Sequence, residues 1–191
     1  MSMVYIICGL DRLGKSTLIQ GIRDELGYYE VVHFSKPQRL QVYDGMATTE
    51  GEVSKLQSFY HYQYHGFINM MKLLVSDANI IFDRGHLGEA VYSPMYRNYS
   101  GDYVFDLEQE YRIGDRNNIR LILLTEDTDI AKHFVDDGES LGPIEKREEE
   151  QQRFIDAFNR SAIKDKRIIN VTDLGLGGFR RKEDILREAL A

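Results

Sequence analysis

Gly9-Leu10-Asp11-Arg12-Leu13-Gly14-Lys15-Ser16 fits the phosphate-binding pattern G-x-x-x-x-G-K-[ST] without a gap or a substitution. The pattern gains meaning from context: an apolar strand should run into it and an amphipathic helix should leave it. Met3 to Cys8 is a short apolar, β-rich run that reads as a buried parallel strand. Leu18, Ile19, Ile22 and Leu26 then repeat at helical spacing until Gly27 supplies a stop. Gly9 and Gly14 let the backbone turn its N–H groups onto a phosphate at the helix N-terminus, where the helix dipole also favours negative charge. Lys15 would reach the β- and γ-phosphates of a nucleotide, and the Ser16 hydroxyl would sit on Mg²⁺. The plainer reading, a glycine-rich turn before an ordinary helix, leaves the agreement of motif, strand and helix unexplained.

Composition bounds what surrounds this loop. A chain of 191 residues is long enough for one well-buried core and short for two domains, so a single domain over 1–191 is expected. Hydrophobic residues make up 42% and charged residues 29%, an ordinary globular balance, with no run near the ~20 apolar residues that a membrane span needs. No basic segment followed by a long apolar one opens the chain, and the single cysteine, Cys8, cannot form an internal disulfide. These features predict a reducing, cytoplasmic setting and no membrane partner. The formal charge of −7 disfavours sequence-independent binding to nucleic acid, so a phosphate ligand must be captured by local cations and backbone amides.

Further along, Glu30 to Phe34 reads as a second strand, closed by Ser35-Lys36-Pro37. In α/β sheets the ligand crevice lies at the C-terminal strand ends, which places Lys36 and Arg39 where a second phosphate could be held; solvated loop cations are the equal alternative. Between Glu52 and Asp77, Val53, Leu56, Tyr60, Phe67, Met71 and Leu74 predict a long helix or a pair broken at Gly66. Its aromatic stretch is either core packing or the wall of an acceptor-base pocket, in which the Gln63 carboxamide could both donate to and accept from a base edge. Asn79 to Phe82 is a third strand ending in Asp83-Arg84: a carboxylate suited to Mg²⁺ beside an arginine that can fork onto a phosphate. His86 opens a helix expected to stop near Pro94, and is read as structural or substrate-adjacent. Residues 97–115 yield no motif.

Ile119 to Leu124 is a fourth strand, followed by a helix expected over about 127–135 and a polar break from Asp136 to Pro143. The charge run from Glu145 to Arg153 is either a solvated helix face or the start of a lid, spanning about 136–147, that closes Lys146 and Arg147 over a triphosphate. A fifth strand, Arg167 to Val171, precedes a glycine-rich turn over 172–178 and a last helix from Arg180 to Leu190. The sum is an α/β, three-layer architecture: a five-stranded parallel sheet with helices on both faces and a lid.

Gly9 to Thr17 resembles the G-x-D-R-x-G-K-S-T loop of thymidylate kinases, and Asp83-Arg84 with Tyr92 resembles their D-R-Y-x-x-S-x-x-A-Y segment. The resemblance implies a nucleoside-monophosphate kinase fold that moves the γ-phosphoryl group of ATP, with Mg²⁺, to a (deoxy)nucleoside monophosphate, dTMP first, in a homodimer. Carried over by motif position, Asp11 contacts the acceptor, Arg12 and the lid-like Arg147 reach the transferring phosphoryl group, Arg84 and Tyr92 hold the acceptor, and Thr17 and Asp173 join the ATP side. Gly85 and Gly88 replace the family's Tyr and Ser, and the helix before Asp83 lacks the arginine that normally contacts thymine; Tyr62, Gln63 and Tyr64 stand near its place. A nucleoside kinase, a kinase acting on a modified base in DNA, and a nucleotide switch are the alternatives.

Overall fold

The computed structural model describes residues 3–34, 49–74, 78–127, 129, 144–175 and 177–191. Lys36, Arg39, the helix expected near 127–135 (127 and 129 apart) and the lid up to Pro143 lie outside the described residues.

The sheet is built from β1 (Val4–Gly9), β2 (Glu30–His33), β3 (Ile80–Asp83), β4 (Ile119–Thr125) and β5 (Asp165–Asn170). Its order is β2-β3-β1-β4-β5 and each neighbouring pair is parallel. Every residue of β1, β3 and β4 is buried, as expected of inner strands covered on both faces. The edge strands β2 and β5 are partly open.

The described helices are α1 (Lys15–Leu26), α2 (Glu50–Leu74), α3 (Leu87–Tyr96), α4 (Tyr103–Glu110), α5 (Arg147–Arg160) and α6 (Lys182–Leu190). α1 packs against α6, while α2 meets α4 and α3 meets both α4 and α5. No helix among the described residues is long and apolar enough to cross a membrane.

One local alternative is decided and two expectations change. α2 runs through Gly66 unbroken, because Tyr64, Phe67, Ile68 and Met71 bury a continuous stripe on both sides of it. α3 passes Pro94 and ends at Tyr96; proline removes one backbone donor, but the Arg97 N–H still closes the last turn on the Ser93 carbonyl at 2.9 Å. The glycine-rich turn after β5 contains a small antiparallel hairpin of β6 (Thr172–Asp173) and β7 (Gly178–Phe179).

Register brings the chemistry together. Ile7 of β1 lies opposite Asp83 of β3, and Gly9 opposite Leu124 of β4, so both motif-bearing strands finish at one edge of the sheet. Gly9 has φ 135°, and a Cβ built there would stand 2.6 Å from the Leu124 carbonyl oxygen; only glycine lets the chain leave β1 at this point.

Candidate active site

The phosphate-binding loop turns between the end of β1 and the start of α1. Gly14 caps α1 in the left-handed conformation, with no side-chain hydrogen bond closing the helix end and no acidic residue in its first turn. Ser16 and Thr17 are exposed on that turn. The Lys15 ammonium is 8% exposed and donates to the Gly9 carbonyl at 3.1 Å and to the Leu10 carbonyl. Its pKa falls to about 8, first because burial disfavours the ammonium and next because the Arg84 guanidinium repels it; Asp11 and Asp83 oppose the shift.

One carboxylate oxygen ties the two motifs together. Asp11 Oδ1 accepts from Arg84 Nη2 and stands 3.8 Å from Lys15 Nζ. Arg12 and Arg84 both hold positive φ, at 69° and 71°, an uncommon state for these residues that occurs here in two turns of the same site. Gly85 follows: a Cβ there would lie 2.8 Å from Ile6 Cγ2, a close approach that accounts for glycine in place of the bulky residue of the resembling motif.

Asp83 is 8% exposed. Its Oδ2 is hydrogen-bonded to His33 Nδ1 at 2.9 Å, whereas Oδ1 is buried with no protein partner. An unpartnered buried carboxylate oxygen beside a phosphate loop suits a hard divalent cation. Together with the exposed hydroxyl of Ser16, Asp83 fits the role of Mg²⁺ ligand.

Arg147 opens α5 and reaches back to the loop. Its Nη2 donates to the Asp11 carbonyl at 2.7 Å and to Glu126 Oε2 at 3.1 Å, and its Nε bonds Glu126 Oε1. Glu126, buried just past β4, is fixed in turn by the α5 residue Gln151, which accepts from its N–H at 2.7 Å and donates to its carbonyl at 2.9 Å. Glu150 of the same helix accepts from the Tyr96 hydroxyl.

Two spaces flank the loop. A groove of about 820 Å³ runs from Arg12, Gly14, Ser16 and Thr17 between α1 and α6, and is bounded by Phe179 and Arg180. Asp173 does not line it; its hairpin partner strand does. On the other side, Gly9, Arg84, Gly85 and Tyr92 meet Phe34, Tyr64, Phe154 and Arg97 around a cavity of about 40 Å³. That holds only one or two waters, so a nucleobase would enter only by displacing an aromatic wall. Burial pushes the Tyr92 hydroxyl pKa up, keeping it a neutral donor.

Gln63, expected at the base, is half-buried and does not line this cavity. The buried stripe of α2 passes through Tyr60, Tyr64, Phe67 and Met71, and Gln63 lies on its flank, about 40° round the helix from Phe67 and 100° from Tyr64. The neighbouring Tyr64 faces inward instead. Arg97 and the fully buried Glu89 were not singled out by the sequence: they are eight residues apart across a proline-bearing helix end, a spacing with no motif. Glu126, Phe179 and Arg180 carried no signal either, since each reaches the site only through tertiary contact.

Behind the site, His86 is fully buried, and its Nε2 is hydrogen-bonded to Glu108 Oε1 at 2.5 Å. Glu108 also accepts from Ser161 Oγ and the Ala162 N–H, each at 2.6 Å. The pair joins the start of α3, next to Asp83-Arg84, to α4 and the end of α5; it holds the frame and does not reach the cavities.

The chain is similar in fold to several solved structures. The Bacillus subtilis YorR protein in complex with phosphorylated GDP aligns at TM-score 0.61 with 14% identity, covering 98% of this chain and 94% of that one. Candida albicans thymidylate kinase aligns at 0.59 with 15% identity, covering 99% and 89%. Deoxyadenosine kinase from M. mycoides, with dCMP and dCDP bound, aligns at 0.53 with 19% identity, covering 97% of each chain. No curated protein sequence matches. Residues 5–173 match the AAA domain family model, and with its phosphate loop at the head of a five-stranded parallel sheet of nucleotide- and nucleoside-kinase type, the chain belongs to that AAA domain family.

Proposed function

We propose that this chain transfers the γ-phosphoryl group of ATP to a (deoxy)nucleoside monophosphate, dTMP being the leading acceptor. The observation that carries the reading is the convergence of Lys15, Asp11, Arg84 and Asp83 at the ends of two adjacent parallel strands. Phosphoryl transfer asks for positioning and charge neutralisation more than for covalent chemistry, and this cluster supplies both.

In this reading the triphosphate lies along the loop, its terminal groups on the backbone amides at the start of α1 and on Lys15. Arg84 holds the acceptor phosphate across the site. Asp11, between the two cations, fixes their separation and contacts the acceptor. Arg12 and Arg147 stand on the donor side, the latter tying α5 to the loop so that closure of the helix is felt at the reacting phosphate. Asp83 and Ser16 would hold Mg²⁺, which when bound neutralises charge on the β- and γ-phosphates. Thr17 lies in the groove beside Phe179, which offers the donor base an aromatic face, and Asp173 braces that hairpin through the Gly175 N–H at 2.8 Å. A monophosphate acceptor is already ionised and needs no base to remove a proton, which agrees with the lack of an assigned general base in this reading.

Purified protein with ATP and Mg²⁺ should be tested against nucleosides, nucleoside monophosphates and DNA carrying modified bases. Nucleoside diphosphates are the expected product. Transfer only to free nucleosides, or ATP hydrolysis with no acceptor, would overturn the assignment.

A further inference from the structure

We propose that Arg97, oriented by Glu89, reads the acceptor base and selects one that turns an O6 or O4 carbonyl towards it, guanine or thymine, over one with an amino group at that position, adenine or cytosine. This rests on the phosphotransferase reading above and names the acceptor class of that site.

Arg97 lines the small cavity opposite the loop. Its Nη1 donates to Glu89 Oε2 at 2.5 Å, and its guanidinium lies 4.1 Å from the centroid of the Tyr60 ring. Glu89 is itself locked: fully buried, its Oε1 accepts from Tyr99 at 2.7 Å and Tyr103 at 2.8 Å. Two tyrosine hydroxyls therefore fix one oxygen of this carboxylate, and its other oxygen anchors the guanidinium through Nη1. A long side chain held this way loses little freedom when it meets a ligand, which is the condition for specificity by hydrogen bonding.

The chemistry of the cavity has two ends. Arg84, next to Lys15 and the phosphate loop, marks the phosphate end. Arg97 has its charge matched by a buried carboxylate and shares the cavity lining with Tyr64, Phe34 and Tyr92. Aromatic walls around a charge-compensated, donor-only group describe a pocket for a neutral, planar acceptor of hydrogen bonds. Guanine offers O6 and N7 to an arginine fork and thymine offers O4, whereas the adenine N6 and cytosine N4 amino groups would face donor against donor. A buried donor left facing a donor is penalised far more than a weak contact is, so discrimination should be large.

The test is a panel of dTMP, dGMP, dAMP and dCMP, followed both by equilibrium binding and by kcat/KM with saturating ATP. Wild-type protein should bind and turn over dTMP or dGMP at least about tenfold better than dAMP and dCMP. Arg97→Gln, whose carboxamide accepts as well as donates, should lose about 10- to 100-fold on the carbonyl-bearing bases, narrow or reverse the gap, and leave the KM for ATP unchanged. Glu89→Gln should move in the same direction. If Arg97→Gln does not fold, Arg97→Lys, which keeps a cation against Glu89, carries the comparison and should retain only part of the preference. A wild-type preference for the amino bases, or variants in which all four acceptors fall together with their order intact, would overturn the proposal. Binding in the expected base order without turnover would sink the phosphotransferase reading and leave this one standing; turnover with a base order indifferent to Arg97 would do the reverse.

Discussion

The buried ammonium of Lys15 gives the site a pH dependence whose direction follows from the structure. Burial first, and the Arg84 charge next, bring its pKa from the usual 10.5 to about 8. For a base whose folded value is depressed, the protonated form is the costly one: the stability penalty is present below about 8 and is relieved as pH rises towards the unfolded value. For function the sign is opposite, because the ammonium is the form that binds phosphate. Above pH 8 the cationic fraction in the free protein falls by about tenfold per unit, and kcat/KM for ATP should fall with it, since that ratio reports groups in the free protein. The limb for kcat should lie higher, because a bound triphosphate favours the ammonium. Arg84→Gln removes the second cause of the depression and should shift the kcat/KM limb upward even though the rate itself drops. The assay is an ATP-saturation series at each pH, with folding checked by circular dichroism. A kcat/KM that is flat from about pH 7 to 9.5, with the protein folded throughout, would refute the reasoning that Lys15 titrates there and carries phosphate binding.

Two further outcomes follow from other contacts. Glu108→Gln leaves fully buried His86 without its carboxylate and should cost about 3 kcal/mol in urea denaturation with little change in the KM for ATP. Burial alone would push the Glu108 pKa up, but the His86 charge and the donors from Ser161 and Ala162 hold it below the usual carboxylate range, so its contribution is present above an unfolded value near 4.5 and is lost as pH falls through the folded one; a variant as stable as wild type at pH 7 would contradict this. Asp83→Asn removes the negative charge from the carboxylate whose Oδ1 is buried without a protein partner, and should raise the Mg²⁺ concentration needed for half-maximal rate by about tenfold or more; an unchanged metal titration would remove Asp83 from the metal side.

The half of the site that is local in sequence was readable there, because strand, loop and helix start each impose their own residue types within a few positions. Gly9 is constrained by a neighbouring strand and Gly14 by a left-handed cap, and both constraints leave glycine in the sequence. The Asp83-Arg84 pair was readable for the same reason: an apolar strand places its last residues at the ligand edge. Side-chain phase on α2 was not, since glutamine and tyrosine at adjacent positions both suit a helix and only packing of Tyr64 on Phe34, with Phe67 on Phe82 of β3, decides which turns inward. The ion pairs Arg97 with Glu89, Arg147 with Glu126, and His86 with Glu108 also escaped, because charges paired across elements obey no period and look like solvated residues until the fold brings them together. Arg147 was assigned a role by motif position, but its anchorage on the Asp11 carbonyl and on Glu126 is information that only the fold supplies.

The central claim is that the Lys15 cluster is a phosphoryl-transfer centre, and the most direct test follows label from γ-labelled ATP in wild-type protein and in Lys15→Ala at saturating ATP, Mg²⁺ and monophosphate. The account predicts label in the nucleoside diphosphate with wild type and a rate at least about 100-fold lower in the variant, because charge that grows at the transition state is no longer met. The variant should unfold at no lower urea concentration than wild type, since a costly buried cation has been removed. Equal label transfer by a folded Lys15→Ala protein, or label found only in inorganic phosphate with wild type, would contradict it.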